Sequence, residues 1–289
     1  MQPLPRLDAG RPRFWEPALG TKPAFALLVT DPALPTYLHT PFVWTHYRAH
    51  LTLRACGSSI FMIHNQTVNI WTHLLPAMAF LVYSAWQIAD GTATLPLLTC
   101  CLANSFVFVV STFAHVFSPI NALWHRRCWA ADWSAIAIAI FGNLFPICYY
   151  AFADHEGESV LFGALLVVSC GAILVMANSS YWATLPNYQK ALLGLSPLPV
   201  TVAMLCRIAA VLSAEKSSAI LSPLAPLGGL IASGLSVYAS RVPERWFPGR
   251  FDLIGGSHNF HHLWTTAVAV LSVANARRWA AELGPVIKM

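Results

Sequence analysis

The stretch LPLLTCCLANSFVFVVSTFAHVFS, residues 95–118, runs 24 residues without an Asp, Glu, Lys or Arg. A helix needs roughly 20 consecutive apolar residues to cross a hydrocarbon core about 30 Å thick. This run therefore predicts a transmembrane helix. Comparable runs lie at about 67–88, 129–151, 159–182, 192–213, 218–240 and 257–276, so seven crossings are expected. The run at 192–213 is the weakest, because Pro197, Pro199 and Arg207 interrupt it. Such breakers are tolerated where neighbouring helices or a cavity satisfy the freed backbone groups. A transmembrane β-barrel is disfavoured, since it would show short alternating segments instead of long apolar runs.

Composition agrees. Of 289 residues, 56% are apolar and 10% charged, against roughly 45–50% and about 25% in soluble domains. That excludes a soluble cytosolic enzyme, and so much apolar surface excludes a disordered chain. The net charge of +5 comes from scattered cations that form no basic stripe, so no nucleic-acid partner is expected. The seven cysteines show no CxxC spacing and are expected to be reduced thiols acting as small hydrophobes. The first 24 residues hold several prolines but no apolar h-region, so the first span is expected to serve as the targeting signal.

The expected organisation is an N-terminal cytoplasmic tail over 1–42, a juxtamembrane segment over 43–66, a seven-helix transmembrane domain over 67–276 and a short extracytoplasmic tail over 277–289. Twelve of the 17 Lys and Arg fall on the side of the N-terminus and five on the other. The positive-inside rule then places the N-terminus in the cytoplasm and the C-terminus outside. The sequons at Asn65 and Asn178 would lie on the cytoplasmic side and carry no glycan. Trp71, Trp124, Trp129, Trp133, Trp182, Trp246 and Trp264 are expected as interfacial belt residues.

Ionisable residues inside spans are costly and point to function. Here they are His73, His115, Asp132, Arg207, His258, His261 and His262. With this orientation the second span ends at His115, the third starts near Asp132 and the seventh starts near His258, so all three sit near the inner leaflet. His258 and His262, four residues apart, share a helix face with Cβ atoms roughly 5–6 Å apart. With His115 they make a three-imidazole set that leaves a fourth position for water, the catalytic zinc pattern. Neutral imidazoles leave the ion its full charge, which lowers the pKa of bound water towards about 7. Asp132 would accept a proton or hydrogen bond from that water as general base, and Ser111, one turn before His115, would orient it or contact a substrate carbonyl. His261 is an alternative to His262, ranked below it. Arg207 is either a snorkelling or structural cation or a ligand for a lipid head group.

Three ordered motifs carry a resemblance. The stretch His64-Asn65-Gln66-Thr67-Val68-Asn69-Ile70-Trp71-Thr72-His73, the pair Ser111-x-x-x-His115 with Asp132, and Pro243-Glu244-Arg245-Trp246-Phe247-Pro248-Gly249 followed by Ser257-His258-Asn259-Phe260-His261-His262 resemble the progestin and adipoQ receptor family. Residues 40–276 are covered, and the branch most similar in motif is that of the membrane progestin receptors, with the adiponectin receptors and haemolysin III-like proteins as relatives. The resemblance implies seven helices with a cytoplasmic N-terminus, one Zn2+ held by His115, His258 and His262, and Asp132 and Ser111 beside its water. His64, Asn65, Asn69 and His73 belong to the first motif. Gln66 stands where the family has Glu, Trp133 where it has Tyr and Asn259 where it has Gln; none is expected to touch the ligands.

The fold class expected is an all-α integral membrane protein, a seven-helix bundle with an intramembrane zinc site near the inner leaflet. The leading functional expectation is a receptor in the plasma membrane, binding a lipid or steroid from the bilayer and signalling to an intracellular partner. A zinc-dependent lipid amidohydrolase of ceramidase type and a purely structural zinc are the alternatives. Oligomeric state is not fixed by the sequence.

Overall fold

A computed structural model describes residues 24–28, 30–179 and 195–283. The order of elements is β1 (Ala24–Leu27), a 3-10 turn (Thr36–Leu38), β2 (Tyr47–Ala49), α1 (Leu53–Ser59), α2 (Thr67–Ala89), α3 (Leu95–Phe117), α4 (Ala122–Ala151), α5 (Glu156–Ala177), α6 (Leu198–Val211), α7 (Ala214–Leu221), α8 (Leu224–Ser240) and α9 (Ser257–Glu282). The protein is mostly helical. The two strands pair antiparallel, a small sheet that the reading of a loose N-terminal tail did not anticipate. Residues 1–23, with their four cations, lie outside the described residues, as do Trp182 and Lys190.

Among the described residues, five segments are long and apolar enough to cross a membrane: α2, α3, α4, α5, and α7 with α8 together as Ala214–Ser240. Two expected spans fall short on different grounds. At about 1.5 Å per residue, the 14 residues of α6 reach about 21 Å. The 26-residue α9 has the length, but its three histidines and two asparagines dilute its hydropathy. The third span also differs. It begins at Ala122, because the Asn121 side chain accepts the Trp124 amide at 3.0 Å and caps the helix there. Asp132 therefore sits well inside α4 instead of at its start. The sixth span is broken at Ser222-Pro223, since proline cannot donate within a helix.

In lipid, helices gain little from apolar burial against one another, so small residues and polar contacts hold them together. Both occur where α3 meets α4. Gly142 lies so close to α3 that a Cβ there would stand 2.3 Å from the Ala103 Cβ. Beside it, Asn104 Nδ2 donates to Asn143 Oδ1 at 2.7 Å. Pro76 in α2 frees the Thr72 carbonyl one turn earlier, and the Thr266 hydroxyl of α9 donates to it at 3.4 Å. These contacts fasten α3 to α4 and α2 to α9, and α9 also packs on α3 and α4, so the four helices form one group. All seven cysteines are unpaired and six are buried.

Candidate metal centre

Three imidazoles converge at one end of that four-helix group. His115 lies in the last turn of α3 and is 1% exposed. His258 is the second residue of α9, and His262 follows one turn on. The His262 and His258 Nε2 atoms are 3.1 Å apart, and those of His258 and His115 are 3.3 Å apart. Tetrahedral ligands at about 2.0–2.1 Å from one ion stand about 3.3 Å from each other. The set fits a single metal ion.

Two of the three imidazoles are aimed by acceptors behind them. The Nδ1–H of His262 donates to the Asn69 carbonyl at 3.1 Å, and the Nδ1–H of His115 donates to Gln66 Oε1 at 2.8 Å. A carbonyl oxygen accepts without donating, so each proton is held on Nδ1 and each Nε2 lone pair is left for a ligand. Gln66 is itself oriented by the Asn69 side-chain amide at 2.8 Å, and Asn259 Nδ2 reaches Asn69 Oδ1 at 2.6 Å. This corrects the sequence reading: Gln66 contacts the His115 ring directly, and Asn259 stands one contact further out. An amide oxygen accepts that proton as a carboxylate would, without adding charge.

The remaining candidates divide. Asp132 lies on α4 outside the three-nitrogen group, near Ser111 of α3. His73 faces the site without entering it; its ring stacks on His262 at 3.6 Å with a 7° tilt, and its Nε2 meets the Thr265 hydroxyl at 3.2 Å. His64 lies between α1 and α2, its Nε2–H donating to the Ser59 carbonyl at 3.0 Å and its Nδ1 accepting the Gln66 amide at 3.1 Å. Burial, helped by the nearby Arg48 charge, holds this imidazole neutral, its pKa down at about 3. The main-chain N–H of Asn65 donates to the His46 carbonyl at 3.1 Å. His261 points towards the Tyr238 ring, 4.7 Å away, and is not one of the three. Arg207 is elsewhere, paired with Glu158 at 2.8 Å.

Several residues of the site carried no functional weight in the sequence. Trp129, expected in the aromatic belt, stands edge-on to His115 at 5.1 Å and 90°. Glu244 accepts the Ser257 amide at 2.7 Å and also its hydroxyl. It places a carboxylate on the N-terminus of the helix that bears His258 and His262, where the helix dipole favours it. Asp252 accepts the Trp44 amide at 3.1 Å and the Thr45 hydroxyl at 2.7 Å, tying the loop before α9 to the segment before α1. Glu244 was visible inside a motif, but capping 13 residues away leaves no local signal.

The model of the family described as "Haemolysin-III related" matches residues 61–273, a range that contains all six candidate histidines. The chain belongs to the haemolysin-III-related family. Its relatives include the adiponectin receptor protein of Drosophila melanogaster, 32% identical over 82% of this chain and 56% of that protein. Progestin and adipoQ receptor family member 3 of Mus musculus is 28% identical over 89% of this chain and 86% of its own length. Membrane progestin receptor alpha of Sus scrofa is 27% identical over 86% and 74%. Relatives of both the adiponectin and the progestin kind are thus present. With its apolar helices, this membership makes the chain an integral multi-pass membrane protein of a family that contains membrane receptors.

Proposed function

We propose that this haemolysin-III-related protein is a seven-span receptor for a lipid or steroid of the bilayer, with one Zn2+ held by His115, His258 and His262. The seven spans add α6 and α9 to the five apolar segments; α9 crosses because its polar face turns inward onto the site. The observation that carries the proposal is the convergence of three Nε2 atoms within reach of one ion; the proposal adds Asp132 and Ser111 from the sequence reading. When bound there, the ion supplies a Lewis acid able to polarise a carbonyl and acidify a water. In this reading Asp132 takes a proton and Ser111 orients its carboxylate. Gln66 and Asn69 keep the ligand rings from turning. Trp129 walls the site and keeps out water. The steroid class comes from the names of the progestin-receptor relatives, and the lipid class from a site embedded between apolar helices.

A second reading, a zinc-dependent lipid amidohydrolase cleaving a ceramide-like amide, is favoured by the same Asp132–Ser111 pair. A structural staple would account for the three imidazoles and leave that pair without a task. The two readings combine if ligand binding gates the hydrolysis. Asp132→Asn separates them from a staple: it is expected to retain metal and lose hydrolysis of a ceramide substrate, and unchanged turnover would remove Asp132 from the chemistry. The cytoplasmic N-terminus, the plasma membrane and an intracellular signalling partner complete the proposal. An epitope tag at the N-terminus should be reached only after permeabilisation, and labelling of intact cells would reverse the orientation.

A further inference from the structure

Arg48 is 2% exposed, and no carboxylate among the described residues pairs with it. Its Nε is buried without a partner. A buried guanidinium without a counter-charge is costly, so what its remaining donors hold is informative. Nη2 donates to the main-chain carbonyl of His115 at 2.8 Å, and Nη1 donates to the Ser59 hydroxyl. His115 lies in the last turn of α3, where carbonyls lack partners within the helix and carry the negative end of its dipole. Arg48 supplies both a donor and a positive charge there.

The contacts close into a ring. From the His115 carbonyl the path runs to Arg48, from Arg48 to Ser59, from the Ser59 carbonyl to His64 Nε2 at 3.0 Å, and from His64 Nδ1 to the Gln66 amide at 3.1 Å. Gln66 Oε1 then returns to the His115 Nδ1 proton at 2.8 Å. Every residue of the ring except His115 comes from the stretch 48–66, ahead of the first span. His115 is thus gripped by its main chain from one side and by its imidazole from the other. We infer that Arg48 is a positioning residue that holds His115 in register with His258 and His262, so the segment ahead of the first span sets the geometry of the metal centre. This inference rests on the proposed metal binding.

The two ideas are separable with cobalt as the probe. Full-length protein in nanodiscs is stripped of metal and titrated with Co2+, reading affinity and the visible absorption band of the tetrahedral ion. Loss of a contact that orients a ligand typically costs 10–100-fold in metal affinity. Arg48→Met is expected to weaken cobalt binding by that factor and alter the band. Arg48→Lys keeps the charge and one donor but loses the fork to Ser59, and should fall between wild type and Arg48→Met. Arg54→Met, removing an exposed cation on α1, should leave both readings unchanged. If Arg48 acted on the ion mainly through its charge, Arg48→Met would bind cobalt more tightly, and that result overturns the inference. So does an unchanged affinity and band in the Arg48 variants, or an equal loss in Arg54→Met. Should Arg48→Met fail to fold, Arg48→Lys decides alone: a weakened affinity with an altered band supports positioning, and wild-type behaviour contradicts it. A wild-type protein that takes up no cobalt removes the metal proposal and this inference together.

Discussion

The two ends of the helix group use charge in opposite ways. At the end that holds the three imidazoles, three buried polar side chains meet partners that carry no opposite charge or lie at a helix end: Arg48 a helix carbonyl and a hydroxyl, His64 a carbonyl and a main-chain amide, and Glu244 the first donors of α9. At the opposite end, Arg207 meets Glu158 at 2.8 Å and Lys216 meets Asp154 at 2.9 Å, with Arg207 49% and Asp154 80% exposed. Exposed pairs are screened and lose side-chain entropy, so they contribute little. The buried network cannot lose one member without stranding another in a low dielectric. A protein with so few charges has thus spent its buried ones on orienting one site.

Four substitutions test that contrast. The largest effect is expected from Gln66→Leu, which removes the acceptor behind His115 and leaves the Asn69 amide unpaired; metal affinity should fall 10–100-fold. An unchanged dissociation constant would show that His115 needs no partner behind it. Next is a pH effect at His64. Its pKa in the folded protein lies at about 3, below the ordinary 6.5, so its contribution to stability is complete above pH 6.5 and lost as pH falls towards 3. Asn can offer an amide and a carbonyl in its place. In metal-free protein, His64→Asn should flatten the fall of unfolding free energy over that window by up to about 1.4 kcal/mol per pH unit. Parallel curves for the two proteins would place the proton elsewhere. The smallest effect is expected at the far end. Arg207→Ala and Asp154→Asn should leave metal affinity unchanged and the melting temperature nearly so. The Lys216 hydrogen bond holds the Asp154 carboxyl below its usual pKa, so whatever that pair contributes is present at neutral pH and vanishes only in acid. A large loss of metal from either variant would erase the distinction between the ends.

The histidines were legible in the sequence because each signature is local or near-local. His258 and His262 announce a shared face by spacing, and His115 stands out as a titratable group in an otherwise apolar run. The helices α2 to α5 were legible for the same reason, since a 20-residue apolar run depends on nothing distant. What escaped depends on contacts between segments far apart. Arg48 was counted only as a topology cation; its role depends on a carbonyl 67 residues away. Gln66 was noticed as a departure from the family pattern, yet its partner lies 49 residues on. Trp129 looked like a belt residue because an aromatic near a predicted helix end usually is one. The extra two turns of α4 follow from the Asn121 cap, which precedes the apolar run and was hidden by Arg126 and Arg127.

Metal analysis of the purified wild type beside His115→Ala, His258→Ala and His262→Ala tests the central claim most directly. The account predicts about one zinc per wild-type chain and loss of that zinc in each of the three variants. A full complement of zinc in all three, or a wild type that binds none, would contradict it.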